Sequence, residues 1–201
     1  MAKLVSSAVY IIMSSHHIVR EKQEPALLLL SLNNFSEELL GQLLEWSPTV
    51  ITTPLVAEQI NAYEIKIDII IADTIDEVLQ SDVKQIPQNG ASQTEAALKY
   101  LIENDYKAVN VVADMVDLAD FIPFAARVNI VIYSGNQKIY AVNSGFSKWK
   151  PAGENLQILS VHLNLQTSGL QGNGSNKFVT TTDGFISLKF DNGMLFIAED
   201  I

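Results

Sequence analysis

The sequence predicts an α/β protein with an N-terminal, mainly parallel sheet flanked by helices, followed by a C-terminal all-β sandwich. Three observations predict it. Up to residue 127, short apolar runs of strand length alternate with helical patterns. Beyond it, strand patterns succeed one another with turn residues between them, and no linker separates the two grammars. The organisation expected is an α/β, nucleotide-binding-like unit over 1–127 packed against a β-sandwich over 128–201.

In the first part, residues 9–13, 26–30, 50–52, 67–71 and 109–112 are continuous runs of apolar or β-branched residues. Parallel strands read this way because helices cover both faces, so neither face alternates toward water. Ser36 caps a helix over 37–46, with Glu37 and Glu38 in the first turn, where the helix dipole favours carboxylates. Pro54 suits the first turn of a helix over 54–63, where a missing N–H costs nothing. Ser92 and Glu95 have the spacing of a reciprocal cap and open a helix to about 104. Its inner residues are Ala96, Ala97, Tyr100 and Leu101.

In the second part, 128–133 and 138–142 flank Gly135-Asn136-Gln137 and predict a hairpin. Strands follow over 155–165, 178–181, 185–190 and 194–198, with Asp183-Gly184 and Asn192-Gly193 as turns. Phe185, Ser187 and Lys189 alternate with Ile186, Leu188 and Phe190, as expected of a sheet with one buried face.

Composition narrows the function classes. The chain of 201 residues is 48% hydrophobic and 18% charged, enough for a substantial core and far from disorder. A net charge of −10 with singly scattered Lys and Arg excludes a nucleic-acid partner. The absence of cysteine removes disulfides, thiolate metal sites and a cysteine nucleophile. His16 and His17 point to opposite faces if they lie on a strand, so they do not share a metal; His162 stands apart. The apolar stretch 8–13 is too short to span a membrane, and no convincing cleavage site follows it, so a cytoplasmic protein is expected.

Chemistry-bearing motifs are sparse. There is no phosphate loop with a lysine, no nucleophile elbow and no dinucleotide fingerprint. Gly172-Asn173-Gly174-Ser175-Asn176 is the one glycine-rich run and reads as a β-turn. Asp73 and Asp76 follow the 67–71 run, and open α/β sheets bind ligands beyond the carboxyl ends of their strands. Oxygen ligands there suit Mg²⁺ carrying phosphates. The alternative is a helix toward Gln80 capped by Asp73 or Thr74, with Asp76 and Glu77 as ordinary first-turn charges.

From residue 25 to the end, the order and spacing of these parts resemble the thiamine pyrophosphokinase family. That family has an α/β nucleotide-binding half followed by a β-sandwich half. Its Gly-Asp-Phe-Asp-Ser turn falls on Ala72-Asp73-Thr74-Ile75-Asp76, where the second aspartate is Ile75 unless Asp76 replaces it by a one-residue shift. Its Asp-Gly-Gly-Ala turn falls on Pro54-Leu55-Val56-Ala57, and its Thr-Asp-x-Glu-x-Ala helix start on 92–97, with Glu95 kept and Gln93 in place of the aspartate. Of its Arg-x-Asp-His segment only Asp120 persists. Thr167-Ser168-Gly169-Leu170 resembles the approach to the thiamine site, but Gln171 follows where an aromatic residue is usual. Ser175-Asn176 match a late Ser-Asn-Glu, with Lys177 replacing the glutamate.

The resemblance implies transfer of diphosphate from ATP to thiamine with Mg²⁺, in a homodimer with ligand sites between subunits. It implies Asp73, Asp76, Glu95 and Asp120 as catalytic residues, Asp73 and Asp76 as metal ligands, and Ser175 and Asn176 as substrate-binding residues. Pro54, Ile75 and Gln93 cannot be anionic metal ligands, and the family's chemistry depends on such ligands. Three readings follow: the fold with weak or lost catalysis, an active enzyme with a rearranged acidic cluster, or a non-enzymatic regulatory module.

Overall fold

The computed structural model describes residues 24–74, 82–191 and 193–201. The strand expected over 9–13, His16, His17, Ile75 and Asp76 lie outside them. In chain order the elements are β1 (Ala26–Leu29), α1 (Glu37–Leu44), β2 (Val50–Thr52), α2 (Pro54–Asn61), β3 (Ile69–Ile71), β4 (Lys84–Ile86), α3 (Gln93–Glu103) and β5 (Ala108–Val112). After a 3-10 turn, Leu118–Asp120, come β6 (Asn129–Ser134), β7 (Gln137–Asn143), β8 (Phe146–Lys150), β9 (Asn155–Ile158) and β10 (Leu163–Ser168). The chain ends with β11 (Leu170–Gly172), β12 (Lys177–Thr180), β13 (Gly184–Asp191) and β14 (Met194–Asp200).

One eleven-stranded sheet runs β11-β12-β9-β14-β7-β6-β5-β1-β2-β3-β4, and a three-stranded sheet runs β10-β13-β8. From β6 to β4 every pairing is parallel. At β6 the sheet changes sense, because β6 pairs parallel with β5 and antiparallel with β7.

The apolar runs become parallel strands because both of their faces are covered. In β1, Ala26 and Leu28 face a core shared with Ala97, Leu98 and Leu101 of α3, while Leu27 and Leu29 face Leu40 of α1 and Val56 and Ile60 of α2. Three side-chain caps start the helices: Ser36 accepts from Leu39 N, Thr53 from Val56 N and Ser92 from Glu95 N. The β5–β6 crossover carries no helix of normal length; it is a run of turns anchored in the α3-side core by Phe121 and Phe124.

The antiparallel end of the large sheet packs on the small one through Val142, Leu156, Ile158, Ile186, Leu188 and Ile197. The apolar strands over 128–133 and 194–198 are interior to the sheet of this chain: β6 lies between β5 and β7, and β14 between β7 and β9. The run 155–165 is two strands, β9 and β10, in different sheets. Between the sheets sits one ionic group. Glu199, 4% exposed, meets Lys148 at 2.6 Å and Lys150 at 3.4 Å, and Glu154 lies 3.7 Å from Lys150.

Candidate functional site at the strand-order switch

The strand order of the parallel section reverses at β1. From β1 the chain winds outward through β2, β3 and β4, then returns to the other side of β1 as β5 and β6. The carboxyl ends of β1 and β5 therefore mark the switch point at which open α/β sheets bind ligands. Ser31, Asn33 and Asn34 follow β1 there and Asp114 follows β5, and hydrogen bonds tie the two connections together. The Asp114 carboxylate accepts from the Asn33 amide at 2.7 Å and from Asn34 N at 3.1 Å, while Asp114 N donates to the Ser31 hydroxyl at 2.6 Å. Burial pushes this carboxyl up, but the Asn33 amide, the backbone N–H of Asn34 and the Ser31 hydroxyl outweigh it, leaving the group below its ordinary range.

Beyond the strands, Leu55 at the start of α2 is 71% exposed and Met115 is 90% exposed. The connections over 30–36, 72–74, 87–92 and 113–126 contain no Lys or Arg, so they offer hydrogen-bond acceptors more readily than phosphate ligands.

The residues singled out in the sequence have separate bonding partners. Asp73 lies just past β3 and spends Oδ1 on the loop after β4, accepting from Gln88 N at 2.7 Å and Asn89 N at 3.2 Å. Glu95 is in the first turn of α3 and pairs with Lys99 at 2.7 Å. Asp120 closes the exposed 3-10 turn beyond β5. β3 and β5 stand three inter-strand steps apart in the sheet, about 14 Å. Among the described residues no three His, Asp or Glu side chains are grouped so as to hold a metal ion.

In the β half, Ser175 and Asn176 form the β11–β12 turn, with Asn176 at φ 60° and its carbonyl accepting from Ile158 N. His162 Nε2 lies 3.3 Å from the Asn176 side chain. Their neighbours Asn173 and Lys177 line a cleft of about 270 Å³ with Asn155 and Asp200. A larger cavity, about 470 Å³, opens beside Asn33 over α1. Asp114 escaped the sequence reading, although the signal that marked Asp73 also applies to it: a carboxylate just past a buried strand.

By sequence the chain matches no family model and no curated protein. Solved structures do match its backbone. A thiamin pyrophosphokinase from Geobacillus thermodenitrificans superposes with a TM-score of 0.68 at 10% identity, covering 88% of this chain and 97% of that one. This chain has the thiamine pyrophosphokinase fold. The enzyme from Candida albicans agrees, with a TM-score of 0.62, 11% identity and coverage of 88% and 90%. A protein from Lactobacillus plantarum superposes at 0.69 with 12% identity and coverage of 89% and 98%.

Set on the thiamine pyrophosphokinase fold, the altered landmarks have structural roles of their own. Pro54-Leu55-Val56-Ala57 is the first turn of α2, with Val56 2% exposed in the core and Pro54 lacking an N–H. No helix among the described residues is long and apolar enough to cross a membrane.

Proposed function

We propose that this protein keeps the thiamine pyrophosphokinase fold as a small-molecule-binding scaffold and has little or no diphosphotransferase activity. The observation that carries the reading is the start of α2 at the carboxyl end of β2. Close approach of backbone N–H groups to phosphate favours glycine, and a carboxylate there would hold the metal. Here Pro54 supplies no donor, Leu55 projects its side chain into solvent, and Val56 is committed to the core. Asp73 supports the same reading, because the loop after β4 occupies one of its carboxylate oxygens.

The ligand expected is thiamine or a related small molecule, with nucleotide held weakly and with little help from Mg²⁺. Purified protein incubated with ATP, thiamine and Mg²⁺ should release no AMP and form no thiamine diphosphate above a no-protein control. Robust turnover would overturn the reading. Adding Pro54→Asp, Leu55→Gly, Ile75→Asp and Gln93→Asp together should make ATP affinity depend on Mg²⁺. Equal metal dependence in both proteins would refute the carboxylate explanation.

The reading extends to a homodimer and a cytoplasmic setting. Trp149 and Phe185 lie directly opposite each other on β8 and β13, 54% and 72% exposed, and give the small sheet an apolar outer patch. A monomer mass by light scattering at micromolar concentration would refute the dimer.

A further inference from the structure

We propose that the 470 Å³ cavity over α1 is a small-molecule site for a flat aromatic or heterocyclic ring that carries an amino or amidine donor and no anionic group. The inference does not depend on the fold likeness or on the proposed loss of catalysis. Nothing in it needs nucleotide, thiamine or metal.

The volume lies within the range of about 300–1,000 Å³ usual for ligand pockets. Leu32 and Phe35 form one wall, Leu40 and Leu44 of α1 another, and Ile65 closes the far side. The Phe35 ring is set edge-on to Tyr133, with centroids 6.3 Å apart and planes at 71°, so the core fixes that wall.

Polar atoms at the mouth define the ligand's chemistry. Glu37 brings a carboxylate, held by the Tyr63 hydroxyl at 3.3 Å. The Asn33 amide donates one N–H to Asp114, which leaves its side-chain oxygen and its second N–H for the cavity. Both groups offer acceptors, and no Lys or Arg lines the cavity. A ring bearing N–H donors is matched here, whereas an anion meets the Glu37 charge with no cation to offset it.

Gly41 supplies a second, independent observation. It lies within α1, one turn after Glu37 on the cavity-facing stripe that includes Leu40 and Leu44. Glycine weakens a helix interior. No packing demand explains it, since a Cβ at Gly41 would meet nothing within 4 Å. Its place among the lining residues makes a bulky side chain there a direct test of access to the cavity.

Benzamidine and benzoate decide the matter, being flat, nearly isosteric and opposite in charge. With the full chain labelled with ¹⁵N, benzamidine should shift the amides of α1 and of the segments around Phe35 and Tyr63. Its Kd should be about a millimolar, the range open to so small a fragment, and benzoate should bind at least ~10-fold more weakly. Gly41→Leu should retain or raise the melting temperature and abolish the benzamidine shifts. Glu37→Gln should weaken benzamidine by ~10-fold and let benzoate bind more tightly, so that the preference between the two probes collapses. Equal affinities for the two probes would overturn the proposal. So would shifts confined to other parts of the chain, or unchanged benzamidine affinity in a folded Gly41→Leu protein. If that variant does not fold, Glu37→Gln decides alone, because an unaltered preference for benzamidine would refute the charge argument.

Discussion

Replacing Glu199 with glutamine should unmask the ionic group between the two sheets. The substitution keeps shape and removes charge. Lys150, with a side chain 8% exposed, would then have only Glu154 at 3.7 Å, while Lys148, 41% exposed, can turn toward water. Removing one partner of a buried pair typically costs about 3–5 kcal/mol, and escape of Lys148 reduces this to about 2–3 kcal/mol. For a chain of this length the loss corresponds to roughly 5–10 °C in melting temperature. Burial pushes the Glu199 carboxyl up, but Lys148, Tyr140 and then Lys150 outweigh it and hold it below its ordinary value. A carboxyl depressed in the fold stabilises fully above its unfolded pKa of about 4.3, and the contribution is lost as pH falls through the folded value. Chemical denaturation at pH 7 and at successively lower pH should therefore show a gap between wild type and Glu199→Gln that narrows below about pH 4. A gap under about 0.5 kcal/mol at pH 7, or one independent of pH, would refute the argument.

Asp73→Ala should cost about 1–2 kcal/mol by releasing Gln88 N and Asn89 N, and amide exchange should quicken in the loop after β4. Unchanged protection at those two amides would contradict the structural role given to Asp73. Gly169→Ala should destabilise by about 2–4 kcal/mol, because the glycine has φ +73° and a Cβ would lie 2.9 Å from the Phe185 carbonyl oxygen. Thermal unfolding checks this, and a neutral effect would contradict it.

The elements that the sequence revealed are those whose environment is uniform. Leu27 and Leu29 are buried on one face of β1 and Ala26 and Leu28 on the other, so the whole run is apolar and legible. Ser36 and Ser92 announce their helices because a cap is a local bond. β4 was missed because Lys84 and Gln85 lie on the exposed edge of the sheet and need no apolar character. β8 was missed for a different reason. It turns Lys150 inward and Trp149 outward, a pattern that makes sense only once Glu199 is known to wait on the facing sheet.

The site was less legible than the fold. Asp73 was marked by its place after a strand, yet its bonds to Gln88 and Asn89 depend on a loop whose path no pattern specifies. The cavity over α1 draws on Leu32, Gly41 and Ile65, which are neighbours only because α1 packs beside the connection into β3. Gly41 was the single local hint, a helix-weakening residue in an otherwise ordinary helical stretch.

β6 belongs to both sections of the large sheet, bonded on one edge to β5 and on the other to β7. Hinge rotation of the α/β section against the sandwich would have to tear one of those two ladders along its length. Any ligand taken up at the strand ends must therefore enter without domain closure, through shifts of the connections above the strands. The same shared strand makes unfolding contagious: a break that frees β6 from β7 also strips one edge from the parallel sheet, so the two sections should melt in a single cooperative transition.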